Sequence, residues 1–150
     1  MLFLRTVKGN MEIWQWVLLL SVLLPMAIKD FRTKKVNSYL CLITILEALL
    51  IRKLVINESD IVLLIDMIPG LLLLLVSVLT NEEIGKGDGL VLLYIGCVLG
   101  FKQEMEVLLI AFMLSGIIAL MMLVGKKGNK KTEIPFVPFL SLGVIAGGLI

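Results

Sequence analysis

Two aspartates stand where polar sequence meets apolar sequence. Asp30 lies in Lys29-Asp30-Phe31-Arg32-Thr33-Lys34-Lys35-Val36-Asn37, and Asp88 closes Gly85-Lys86-Gly87-Asp88. Two carboxylates brought close cannot both ionise cheaply, so they share a proton, and one then serves as base and the other as acid. The glycines around Lys86 let the backbone bend and approach an extended peptide. An aspartate at a helix start is also favoured by the helix dipole. Each residue has a plainer reading: Asp88 as the cap of an ordinary turn, Asp30 as a loop charge neutralised by Lys29, Arg32, Lys34 and Lys35. The pair gains weight because both aspartates fall on one predicted face, each beside a short apolar run.

The rest of the composition narrows the chemistry. Histidine is absent. That removes Ser-His-Asp and Cys-His nucleophiles, the HExxH zinc proteases and any two-histidine metal site. Cys41 and Cys97 lie singly inside apolar runs, form no CxxC pair, and read as small buried side chains. No metal and no cofactor is expected. Chemistry without a cofactor falls to carboxylates, Lys, Ser or Tyr. No long basic tract interleaved with aromatics points to nucleic acid.

The elements that must position the aspartates are apolar. The chain has 150 residues, 59% of them hydrophobic, and a mean hydropathy of +1.06. Soluble domains sit nearer 45–50% apolar, so lipid is expected to cover much of this surface. Six runs stand out, roughly Ile13–Ile28, Val36–Ile51, Ile61–Leu79, Gly89–Phe101, Val107–Val124 and Ile134–Ile150. The breaks are short, which predicts one all-α domain over residues 1–150, a compact bundle of about six transmembrane helices. The first run ends in Lys29 and Asp30 with no small-residue cleavage site, so it reads as a retained span, with the first dozen residues as an interfacial lead-in. The second and fourth runs are short for a crossing, which predicts a wet notch on one face, near both aspartates. The connections on that face hold nine of the fourteen basic residues. The positive-inside rule therefore places the notch in the cytoplasm and both termini outside. Glu47 and Asp66 fall within predicted spans, where a carboxylate is costly and suspect. Both lie toward the outer ends, Glu47 near Arg52, and Asp66 is expected to snorkel outward or pair with Arg52 or Lys53.

At this point the chain resembles the type IV prepilin peptidases, membrane aspartic proteases of the GxGD kind. Three stretches carry the resemblance. Asp30 to Asn37 is similar to the family's D-x-R-x-R-R-I-P-N loop. Gly85-Lys86-Gly87-Asp88 matches its GxGD, ahead of an apolar helix with Gly96 and Gly100. Pro135-Phe136-Val137-Pro138-Phe139-Leu140, followed by Gly143, resembles the element that opens its last helix. The family's Ile-Pro-Asn reads Val36-Asn37-Ser38 here, and the lysine usual two residues after the second aspartate is Leu90. The resemblance implies Asp30 and Asp88 as the catalytic pair. It implies substrate contacts at Gly85, Lys86, Gly87, Pro135, Phe136 and Pro138. The substrate class is pilin-like precursors, cut after a basic leader at the cytoplasmic face of the cell membrane. The chain lacks the paired CxxC sites of the larger members' methyltransferase region, so a small, peptidase-only form is expected. Two rival readings stand beside this one. In the first, a small ion-coupled transporter or channel would use Glu47 and Asp66. In the second, an inactive pilus-assembly scaffold would keep the fold.

Overall fold

The computed structural model describes residues 2–33, 38–56, 59–80, 85–125 and 135–149. Every element among them is helical. The first, α1 (Leu2–Thr33), is 32 residues long, roughly 48 Å at 1.5 Å per residue. It contains the whole first apolar run and begins well before it. Residues 2–12, ahead of that run, are thus part of the same helix. Helix α2 (Ser38–Ile51) passes directly into a π-helical stretch, Arg52–Ile56.

The third apolar run is not one helix. It is split at Met67 into α3 (Asp60–Asp66) and α4 (Ile68–Leu79), whose axes differ by 46°. The reason is local. Pro69 has no amide hydrogen, and its ring crowds the carbonyl four residues back, so it bends or breaks a helix arriving from Asp60. At the start of a new helix the same proline costs nothing.

Helix α5 (Lys86–Leu99) meets α6 (Phe101–Val124) at a single residue, Gly100. Its φ of +88° lies in the region that only glycine enters freely, and the reversal between two helices needs no longer loop. The last helix is α7 (Val137–Leu149). Among the described residues, α6 alone has the length and hydropathy to cross a membrane, as does the α3–α4 pair taken as one bent span. The apolar window of α6 has a mean hydropathy of 2.9 and is 11% buried. Leu109, Phe112, Met113, Ile117 and Leu120 are exposed along it, the pattern of a lipid-facing helix and not of a soluble core helix. Helices α2 and α5 have 14 residues each, about 21 Å of rise, and are as short as their apolar runs implied.

The bundle is built around α5, which touches all six other α-helices. Val91, Leu92, Leu93, Ile95 and Cys97 on it are all at most 4% exposed. They meet Leu19 and Leu23 of α1, Cys41 and Ile45 of α2, and Leu140 and Val144 of α7 in one apolar core. Helices α4 and α5 approach closely. A Cβ on Gly70 would stand 2.5 Å from the Leu93 Cα, a distance that only movement of a backbone could relieve. Gly70→Ala is therefore expected to cost about 1–3 kcal/mol through overpacking. Thermal unfolding of the purified protein in detergent measures it, and an unchanged midpoint would contradict this helix crossing.

Candidate functional site

Asp30 sits one turn before the end of α1 and is 5% exposed. It is a helical, buried residue, not a loop charge. Its Oδ2 accepts the main-chain N–H of Val137 at 3.3 Å. Val137 is the first residue of α7, and first-turn amides have no partner within their own helix. The carboxylate thus satisfies an otherwise orphaned donor and lies where the positive end of the helix favours an anion.

The sequence around Val137 explains why α7 begins there. Pro138 falls in the first helical turn, where the missing N–H is harmless. Phe136, just ahead, packs its ring on Phe112 of α6 with centroids 5.3 Å apart. Phe139 and Leu140 are buried in the core. The Pro135–Leu140 element therefore works as an anchor: its aromatic and aliphatic side chains fix the height of α7, and that height presents the Val137 amide to Asp30. The amide itself carries no side-chain signature. The motif was visible in the sequence, and this donor was not.

Asp88 is partly buried in the first turn of α5, with its N–H donated to the Gly85 carbonyl at 3.0 Å. Gly85 is exposed and leaves the carboxylate uncovered: a Cβ there would lie 3.3 Å from Asp88 Oδ2. Lys86 is exposed and Gly87 half-buried beside it. Both aspartates lie just outside the apolar runs of their helices. Burial pushes the Asp88 carboxyl up to about 7, and the charge of Asp30 adds to the shift. Burial also raises Asp30, with the Val137 N–H acting in the opposite direction. The two acids are close enough to sense each other, and each is held more readily as a neutral acid than a solvated aspartate would be.

The remaining expected residues divide. Pro135 and Phe136 are half-buried at the start of α7, on the same side of the fold as Asp30. Lys34 to Asn37 of the first motif lie outside the described residues. Asp66 is buried and paired with Arg52 at 2.7 Å, one of the two partners expected for it, and it does not snorkel outward. Glu47 is exposed on α2. Cys41 and Cys97 are free, buried thiols. Two apolar grooves of about 360 and 390 Å³ line the outer flanks of the bundle, and neither touches Asp30 or Asp88.

No curated protein and no solved structure matches the chain. The family model for type IV leader peptidases matches residues 17–120. The matched stretch holds Asp30, the Gly85–Asp88 segment and the core helix α5, and stops before α7. It takes in more than half of the sequence, with both carboxylates inside it, and the chain belongs to the type IV leader peptidase family.

Proposed function

We propose that this protein is a multi-pass membrane aspartic endopeptidase that cuts the basic leader from pilin-like precursors at the cytoplasmic face. The observation that carries this reading is the pairing of Asp30 and Asp88. They come from helices far apart in sequence, and the Asp30 charge acts on Asp88. In the resting pair the proton sits mainly on Asp88, and Asp30 is the ionised partner steadied by the Val137 amide. Asp30 takes a proton from water as the water attacks the scissile carbonyl. Asp88 gives its proton to the carbonyl oxygen; as the resulting gem-diol collapses, Asp30 gives its proton to the leaving amine and Asp88 recovers one from a gem-diol hydroxyl. Atoms balance with one water consumed and the dyad restored. Gly85 and Gly87 leave room for an extended peptide to lie against the carboxylates, and exposed Lys86 borders that path. Six crossings, with the short helices α2 and α5 thinning the fold on the dyad side, fit the charge bias of the sequence.

The central test is cleavage of a prepilin leader peptide by the purified protein in detergent. Asp30→Asn and Asp88→Asn are each expected to abolish it, with at least a ~10³-fold loss. The double variant should be no worse, because groups acting as one unit are non-additive. Wild-type activity should trace a bell in pH whose two limbs belong to the pair. Substantial activity in either single variant would remove the dyad from the mechanism.

Stability should move the other way. The folded protein holds a proton on Asp88 up to about 7, whereas an unfolded aspartate releases it near 3.9. Folding therefore takes up a proton between those values, and rising pH weakens the fold across that window. Asp88→Asn is expected to flatten this slope and to unfold about 2–4 °C above wild type at pH 8, the size of a ~1 kcal/mol effect at this length. An unchanged slope would mean that Asp88 is not held neutral by its site.

Orientation has its own test. A cysteine at Thr33 should be labelled by an impermeant thiol reagent only after the cytoplasmic side is opened. A cysteine at Ser59 should be labelled in intact cells, with buried Cys41 and Cys97 silent. The reverse pattern would put the dyad on the wrong side for a leader peptide.

A further inference from the structure

A second group of buried acids lies at the opposite end of α5, and the peptidase reading does not use it. Asp66, at the end of α3, is 4% exposed, and Glu104, in the first turn of α6, is fully buried. Arg52, in the π-helical stretch, is 7% exposed. Its Nη1 lies 2.7 Å from Asp66 Oδ2 and donates to the carbonyls of Gly96 and Cys97 at 3.4 and 3.3 Å. Asp66 Oδ1 accepts the N–H of Phe101 at 2.7 Å and so caps α6 from outside that helix. Asp66 is therefore hydrogen-bonded at Oδ1 and ion-paired, though not hydrogen-bonded, at Oδ2. Glu104 has neither an ion pair nor a well-formed hydrogen bond among the described residues, the Gly70 N–H being the one donor turned toward it.

The surroundings of Glu104 say what it lacks. Its carboxyl and the main-chain carbonyl of Asp66 converge on the same bare face of Gly96, where even a methyl group would collide with both. The amide of Gly70, in the first turn of α4, faces it as well. An ionised carboxylate here would be desolvated, unpaired and beside a second negative charge. A neutral carboxylic acid has an O–H to give, and the Asp66 carbonyl is an acceptor beside it. A metal ion fits less well. It needs several oxygens, and no group of three or more His, Cys, Asp or Glu able to hold one occurs among the described residues. The Arg52 guanidinium and the α4 amide already bring positive charge to the site.

We propose that Glu104 is a proton-binding site, held in the fold as a neutral acid that donates to the Asp66 carbonyl and locks α3, α5 and α6 together. The groups facing it are Asp66 from α3, the Gly70 amide from α4 and Cys97 from α5, with Arg52 behind Asp66. Losing the proton would place a second charge against Asp66 at the point where α3 bends into α4 and α5 turns into α6. The sign follows: an unfolded glutamate releases its proton near 4.3, so above that pH folding takes up a proton and rising pH weakens the fold.

The test uses the purified full chain in detergent, in the Asp88→Asn background to silence the dyad's own titration. Infrared difference spectra of this protein with and without Glu104→Gln, at neutral pH, should show a protonated carboxyl C=O band that the Gln variant lacks. Between pH 6 and 9 the Glu104-containing protein should lose about 2–4 °C in unfolding midpoint, and the Gln variant, which mimics the neutral acid, should lose almost none. Three results would overturn the proposal. The first is a difference spectrum showing a carboxylate in place of the acid. The second is a Gln variant that does not fold or keeps the pH slope. The third is stabilisation by sodium chloride, but not by choline chloride, that requires Glu104, which would make this a cation site.

Discussion

A helix buried on every side has no face on which to carry a charge, and α5 is such a helix. From Gly89 to Cys97 it is enclosed by its neighbours, with Leu90 only partly covered. Polar chemistry can reach it only at its ends, and both ends are used. At the N-terminal end Gly85-Lys86-Gly87 brings Asp88 into the first turn, where the helix dipole tolerates an acid. At the C-terminal end Gly96 and Gly100 expose backbone to Arg52, Asp66 and Glu104. Helices α1, α2, α4, α6 and α7 are arranged by the need to cover the stretch between.

That arrangement explains how a small chain can hold an acid pair in register. Asp30 belongs to α1, which meets α5 chiefly through apolar residues such as Leu19 and Leu23. The carboxylate is fixed from the other side by α7, whose first amide it accepts. Three helices thus converge on the pair, and each is located by packing that involves no charge. The desolvation that raises both aspartates has the same origin. Apolar neighbours that position a carboxylate also strip it of water, and the cost appears as a preference for the protonated form. The site is then less stable at high pH than a fold without it would be, a common relation between function and stability.

Much of this was legible in the sequence because it rests on residue type and spacing. The absence of histidine, the glycines ahead of Asp88 and the Pro135–Leu140 element all point to a carboxylate site built at helix ends. Three features were hidden. The break at Met67 lies inside a run that is otherwise apolar, marked only by Asp66 just before it and Pro69-Gly70 just after. The Val137 amide is main chain, so no side chain announces it. Glu104 reads as part of a polar connection, because the five residues Lys102 to Glu106 between two apolar runs look like a loop. Gly100, with its positive φ, completes the reversal in one residue and starts α6 at once. The acid is thereby drawn from an apparent loop into a buried first turn.

The buried Arg52–Asp66 pair shows why such groups persist where an apolar pair would be at least as stable. Desolvating two ions commonly offsets their attraction, so the pair is weak evidence of stabilisation in itself. Here it does work that a Leu–Leu contact could not. The Asp66 carboxylate caps α6, and Arg52 satisfies the Cys97 carbonyl at the end of α5, whose helical partner, the Phe101 N–H, turns to Asp66 instead. A broken helix, a one-residue reversal and a π-helical stretch each leave backbone groups unpaired, and in lipid no water is present to take them up. The ion pair supplies a donor to the end of α5 and an acceptor to the start of α6, the two helix ends that meet at Gly100. The reversal at Gly100 is what keeps α5 short, so the polar cluster at this end of the helix follows from the way the helix stops.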